Sequence, residues 1–281
     1  MTVLRAPAKL NLCLYVGGTR PDGLHELRSL FCPLVLSDRI EVSAADGKDD
    51  EVVCPGFEGP NLVTVALEAM RTRGWGADPV RVEVDKRIPV AAGLGGGSAD
   101  AAAVLRLADE AIEDPEELAA GIGADVPSQL EPRFSLVAGA GERIEPLPDP
   151  GEFAVVLIAD DDGLATADVY KRADALGLGR DPRDLDGIAA RLREAAGSGA
   201  SPLEYADLLA NDLEQAAVSL RPRIAEAIAA LEEVGAARAM VTGSGPTAFG
   251  LFQDIVAADQ AASALPPRFA NAIVSAPQRL R

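Results

Sequence analysis

The chain has 281 residues, 48% of them hydrophobic and 25% charged, which is the composition of an ordered globular protein with room for one large or two modest domains. Lys+Arg 26 against Asp+Glu 44 gives a formal net charge of −18, the wrong sign for covering a nucleic-acid backbone or an anionic membrane, so neither partner is expected. Cys13, Cys32 and Cys54 fit neither a disulfide framework nor a C-x-x-C metal pair, and no leader-like or membrane-length apolar run is present; a reducing, cytoplasmic setting is expected.

In chain order, Leu10, Leu12, Leu14 and Val16 alternate with Asn11, Cys13 and Tyr15, so the spacing predicts a half-buried strand with Lys9 and Asn11 on the face opposite the leucines. Breakers follow at Gly17-Gly18 and Pro21-Asp22-Gly23. Residues 80–84 read as a second strand, feeding through Lys86-Arg87-Ile88-Pro89 into a glycine segment. Ala101, Val104, Leu105 and Ala108 then fall at helical spacing, with Ser98 or a neighbour as cap. Asp114-Pro115-Glu116-Glu117 has the cap, proline and glutamate order of a second helix start, with a stop near Gly121 or Gly123.

The unbroken apolar run over 153–159 predicts a buried strand opening a second domain, and 172–201 reads as a loosely packed excursion. Helices are expected over 203–218, 222–234 and 254–264, and strands over 237–241, 247–252 and 270–276. Interleaved strands and helices of this kind predict an α+β protein.

Four segments carry chemistry. Pro89-Val90-Ala91-Ala92-Gly93-Leu94-Gly95-Gly96-Gly97-Ser98-Ala99 puts four glycines before a helix, where backbone N–H groups and the positive helix end suit an anion; a plain turn explains it equally well. It lacks both the Gly-Lys-Ser/Thr ending of a P-loop and the third glycine of the dinucleotide fingerprint. Ala6-Pro7-Ala8-Lys9-Leu10-Asn11-Leu12 projects an ammonium and an amide from one strand face, against the plainer reading of a solvated edge. Lysine is scarce here, with only Lys9, Lys48, Lys86 and Lys171, which favours a specific use for Lys9.

Asp125, mounted between Gly123 and Pro127, suits a general base or a helix cap. Val241-Thr242-Gly243-Ser244-Gly245-Pro246-Thr247 is a tight turn able to present N–H groups to an anion. His25 is the only histidine, so a multi-histidine metal site is excluded.

In their order and spacing these segments resemble the GHMP kinase superfamily. Arg20-Pro21-Asp22-Gly23-Leu24-His25-Glu26 and Gly123-Ala124-Asp125-Val126-Pro127 resemble its 4-diphosphocytidyl-2-C-methyl-D-erythritol kinase family. The resemblance implies a two-domain fold, a ribosomal protein S5 domain 2-like N-terminal domain over 1–150 and a ferredoxin-like C-terminal domain over 151–281. It implies a monomer or homodimer that phosphorylates the 2-hydroxyl of the cytidyl-diphosphate methylerythritol, a step of the non-mevalonate isoprenoid pathway. The donor would be ATP, with Mg2+ held through its phosphates.

On that resemblance Asp125 is the base and Lys9 its partner, and 89–99 is the ATP phosphate loop. Asn11, Leu24, His25, Tyr170, Gly243, Ser244 and Gly245 are on the acceptor side. Leu24 departs from the family's stacking tyrosine, which leaves His25 to serve the cytosine through its backbone and Tyr170 as the aromatic neighbour. Two other readings stay open: a different GHMP acceptor, mevalonate or homoserine, and a non-catalytic nucleotide-binding module, which would need neither Lys9 nor Asp125.

Overall fold

The computed structural model describes residues 1–56, 61–108, 111–160 and 162–279, and the chain divides into two compact units. The first takes in Met1–Lys9, Leu36–Val90 and Gly95–Pro132. It holds the start of β1 (Thr2–Thr19), the end of β2 (His25–Ala44), β3 (Glu51–Val53) and β4 (Val80–Asp85). Its helices are α1 (Leu62–Thr72), α2 (Gly96–Leu105), α3 (Pro115–Ile122) and α4 (Val126–Leu130).

β4 lies antiparallel to β2, with Ile40 opposite Val84 and Val42 opposite Val82, and parallel to β3. Asn61 caps α1 by accepting from the Val63 N–H, and Val63, Ala66, Leu67 and Met70 form its buried stripe at helical spacing. α2 is buried on every side over 99–105, so its run of alanines lets α1 and α4 approach it closely. Burying each large side chain of this core, such as Met70 or Leu67, contributes about 1.5–3 kcal/mol.

Two expected caps are corrected here. Gly95, not Ser98, is the N-cap of α2, in the left-handed conformation, so Ser98 sits in the first turn. Asp114 does precede α3, but at φ 51° its side chain makes no capping bond.

The second unit takes in Leu10–Val35, Ala91–Leu94 and Arg133–Arg281. In it the first part of β2 pairs antiparallel with β5 (Ser135–Gly139), which pairs with β6 (Arg143–Pro146). A separate four-stranded antiparallel sheet runs in the order β10 (Ile273–Ser275), β7 (Ala154–Ile158), β9 (Ala248–Phe252), β8 (Arg238–Val241). β7 is buried throughout, as its unbroken apolar run requires. Val156, Phe252, Leu231 and Ala258 share the core formed with α8 (Arg223–Glu233) and α9 (Ile255–Ala264). The remaining helices are α5 (Thr166–Leu176), α6 (Pro182–Gly197) and α7 (Glu214–Leu220).

Three expectations fail in this unit. β1 is not half-buried and does not turn at Gly17-Gly18: residues 6–17 are buried on both faces and the strand continues to Thr19. Its polar side chains are satisfied internally, Tyr15 donating its hydroxyl to the Leu208 carbonyl and Asn11 its amide to Ser29. Residues 172–201 form α5's end and all of α6, where Asp181 accepts from the Arg183 N–H and Leu185, Ala189, Leu192 and Ala196 turn inward. The helix expected over 203–218 is interrupted. A 3₁₀ turn over Pro202–Leu208 gives way to extended chain because the Leu14 N–H donates to the Ala210 carbonyl and the Asp212 N–H to the Leu14 carbonyl, both at 2.8 Å.

Candidate active site

In the first unit, the interior of β1 forces a decision on Lys9. The residue is 6% exposed, so its ammonium requires a partner, and Nζ lies 3.3 Å from Oδ2 of Asp125. Asp125 occupies the N-cap position of α4 but makes no capping bond with its side chain. Its carboxylate is a third exposed, hence open to an incoming group. A carboxylate held and exposed in this way is placed where a general base can act.

Arg106, at the end of α2, holds the elements that carry this pair. Its guanidinium donates to the carbonyls of Gln129 (2.9 Å) and Leu130 (3.4 Å) at the end of α4, and to that of Arg5 (2.9 Å) in β1. Burial pulls its pKa below the usual arginine value. Gly95 sets the other wall: at φ 67° it needs no β-carbon, and one built there would fall 2.7 Å from Cγ of Lys9.

The glycine segment 89–99 divides by environment. Ala92, Leu94 and Ala99 are buried, whereas Val90, Ala91 and Gly97 face solvent. The polar groups it presents are its backbone and the Ser98 hydroxyl. α2 begins without a side-chain cap and without an acidic residue in its first turn, so its leading N–H groups and positive end are uncompensated by protein. Ala91 holds φ 55°, a conformation that costs a residue with a β-carbon about 1–3 kcal/mol, the kind of strain found at ligand sites.

In the second unit, Gly93 packs on the late glycine turn: a β-carbon on it would lie 2.7 Å from the Gly245 carbonyl oxygen and 3.0 Å from that of Thr242. The turn is fixed by its neighbours. Asn211 donates to the carbonyls of Val241 and Gly243, both at 2.8 Å, and the Ser244 and Thr166 hydroxyls share a 2.9 Å hydrogen bond. Thr242 Oγ1 accepts the Asn11 N–H at 2.9 Å, while the Asn11 amide donates to Ser29 Oγ at 2.8 Å. Asn11 is thus inside the protein, 2% exposed.

The His25 ring lies 4.9 Å from that of Tyr170, tilted by 36°, and its Nε2 is 2.8 Å from Asp174 Oδ1. Leu24, the residue before His25, is 51% exposed. The ring nitrogen Nε2 is thus engaged within the protein, by Asp174 and by the Thr19 hydroxyl at 3.3 Å.

Sequence reasoning missed Arg106, Thr242, Asn211, Thr166 and Asp174. Asp174 was within reach, since it stands one helical turn after Tyr170 on α5. Arg106, Thr242 and Asn211 act on backbone atoms of distant segments and Thr166 on the Ser244 hydroxyl, and no sequence spacing signals them.

Residues 61–130 match the family description GHMP kinases N terminal domain, and 181–271 match GHMP kinases C terminal. A 4-diphosphocytidyl-2-C-methyl-D-erythritol kinase of Anaeromyxobacter dehalogenans is 40% identical over 95% of this chain and 85% of its own length. One from Streptomyces coelicolor is 38% identical, over 93% and 91%. A solved 4-(cytidine 5'-diphospho)-2C-methyl-D-erythritol kinase superposes with a TM-score of 0.79 at 34% identity, covering 99% of this chain and 100% of that one. A homoserine kinase from Cytophaga hutchinsonii, at 19% identity and TM-score 0.72, shares the fold.

Proposed function

The chain belongs to the 4-diphosphocytidyl-2-C-methyl-D-erythritol kinase family of the GHMP kinases, and from that premise we propose that it transfers the γ-phosphoryl of ATP to the 2-hydroxyl of 4-diphosphocytidyl-2-C-methyl-D-erythritol. The observation that carries the chemistry is the pairing of a buried lysine with an accessible, uncapped carboxylate, Nζ to Oδ2 3.3 Å. A module that only bound nucleotide would gain nothing from burying that ammonium, which costs desolvation.

In this reading Asp125 takes the proton of the acceptor hydroxyl as that oxygen attacks phosphorus. Lys9 holds Asp125 in place beforehand and then stabilises charge on the transferring group. Phosphoryl transfer asks little covalent chemistry of the protein beyond such placement. The segment 89–99 and the leading N–H groups of α2 would receive the triphosphate, with residues 1–150 as the nucleotide domain and 151–281 as its companion. Gly243, Ser244 and Gly245 would offer a second set of N–H groups. Leu24, Tyr170 and the His25 backbone would meet the cytosine, and Asn11 would hold the β1 backbone in register with Thr242 while it orients the acceptor.

Among the described residues no group of three or more His, Cys, Asp or Glu side chains forms a metal cage. In this reading Mg2+ would enter on the ATP phosphates, where it would offset their charge. The cysteines are free thiols, which supports a cytoplasmic setting, and no helix among the described residues is long and apolar enough to cross a membrane.

The test is ADP release from ATP with a panel of acceptors: the cytidyl-diphosphate methylerythritol, mevalonate and homoserine. The proposal expects turnover with the first alone. Equal or better turnover with either of the others would overturn the acceptor assignment.

A further inference from the structure

The first unit holds a second charge cluster, which the chemistry above does not use. The Lys86 ammonium, just beyond β4, donates to Oδ2 of Asp38 in β2 and, at 2.8 Å, to Oδ2 of Asp100 in α2. Asp38 Oδ1 in turn accepts the backbone N–H groups of Arg87 (2.6 Å) and Ile88 (2.8 Å). The cluster is inside the protein, Asp38 being 0% and Asp100 3% exposed. Gly96 leaves room for it, since a β-carbon there would lie 3.2 Å from Lys86 Nζ.

The bonds fall on both flanks of the glycine segment. Asp38 fixes the backbone immediately before Pro89, and Asp100 anchors the helix whose leading N–H groups follow Gly95. Two buried carboxylates on one ammonium leave a net negative charge, an arrangement unfavourable for stability alone. Asp100 pays most for it: its Oδ1 is buried with no hydrogen-bond partner. A salt link retained on such terms has its rationale in the geometry it imposes.

We propose that Asp38, Lys86 and Asp100 are positioning residues that hold the two flanks of the segment 89–99 at the separation that nucleotide binding requires. The inference rests on the reading of that segment as the ATP phosphate loop. It also makes nucleotide affinity depend on pH. Burial raises the Asp100 pKa to about 7, with Asp38 adding to the rise and Lys86 opposing it. Lys86 is raised above the ordinary lysine value, the two carboxylates outweighing a burial that acts against them, so it stays charged throughout. The Cys54 thiol also interacts with the cluster, and burial raises its pKa too, so it stays neutral. Below about pH 7 Asp100 gains a proton and its bond to Lys86 loses its ionic character, so affinity for nucleotide weakens as pH falls.

The experiment is ATP binding by calorimetry at pH 6 and 8, on the full chain and on Asp100→Ala, Asp100→Asn and Asp38→Asn, with steady-state kinetics beside it. At pH 8, Asp100→Ala should raise the Kd and KM for ATP tenfold or more and leave the acceptor KM within about threefold. Asp100→Asn should recover part of that loss and lose the pH dependence seen in the unaltered chain. Asp38→Asn gives the same readout should Asp100→Ala fail to fold. ATP affinity within twofold in these variants, an equal loss toward both substrates, or the same pH dependence in Asp100→Asn as in the unaltered chain would overturn the inference. A chain that binds ATP but rejects the cytidyl acceptor would defeat only the acceptor assignment, with the positioning role still decided by Kd; failure to bind ATP at all would defeat both.

Discussion

Gly95 and Lys9 are fitted to each other: a β-carbon on Gly95 would fall 2.7 Å from Cγ and 3.2 Å from Cε of the lysine. Because Lys9 is buried, it has little space into which it can retreat. Gly95→Ala should therefore displace the ammonium from Asp125, and it also forces a β-carbon into φ 67°. The expected result is a fall in kcat of tenfold or more with a cooperative fold retained, read by steady-state kinetics and thermal melting. Unchanged kcat would show that the ammonium's placement is not critical.

The Lys9 and Asp125 roles separate by substitution. Asp125→Asn keeps size and removes the basic site, so kcat should fall about 10²- to 10⁴-fold, the usual contribution of a positioned base. Nucleotide affinity should hold. Lys9→Ala should cost roughly 2.7–4 kcal/mol in kcat/KM, as loss of a preorganised donor does. Because the two side chains form one ion pair, the double variant should lose less than the two single losses added together. Strict additivity would mean that they act independently.

The acceptor side offers a gain rather than a loss. Leu24 is 51% exposed and directly precedes His25, whose ring stands 4.9 Å from that of Tyr170. An aliphatic side chain there forgoes the ring-stacking contribution of about 0.5–1.5 kcal/mol. Leu24→Tyr should lower the KM for the cytidyl substrate by about twofold to tenfold with kcat unchanged. No change in KM would place the base elsewhere.

How far the sequence carried depended on the kind of signal. β7 was legible because its apolar run leaves no choice of face, and α9, expected over 254–264, runs over Ile255–Ala264 behind an Asp254 cap. β2 went unread: Glu26, Arg28, Asp38, Arg39 and Glu41 break its alternation, and their charges are met by one another, as in Arg39 with Glu41, or by distant partners, such as Asp186 for Arg28 and Lys86 for Asp38. The site shows the same split. Lys9, Asp125 and the glycines stood out by residue type and spacing, whereas β1's burial on both faces, which forces Lys9 onto Asp125, is a property of the tertiary packing. Asn211 and Arg106 bond to the backbone carbonyls of distant segments, which carry no sequence signature.

Arg106 is the sharpest case of such a residue, because it touches neither of the paired side chains yet binds both elements that carry them. Its guanidinium spans the Arg5 carbonyl, four residues before Lys9, and the Gln129 and Leu130 carbonyls at the far end of the helix that Asp125 begins. Methionine would fill much of the same volume and offer no donors, leaving three carbonyls short of a partner at about 1–3 kcal/mol for each that stays buried. Arg106→Met should therefore lower the melting temperature, and by loosening β1 against α4 it should lower kcat by roughly tenfold, about 1.4 kcal/mol in the barrier. The KM for each substrate should stay within about threefold. Arg106→Lys, with one donor head where the fork had two arms, should fall between the two. Lost thermal stability with kcat intact would confine Arg106 to holding the fold, whereas a drop in kcat measured well below the melting transition would mark it as the brace that keeps Lys9 on Asp125.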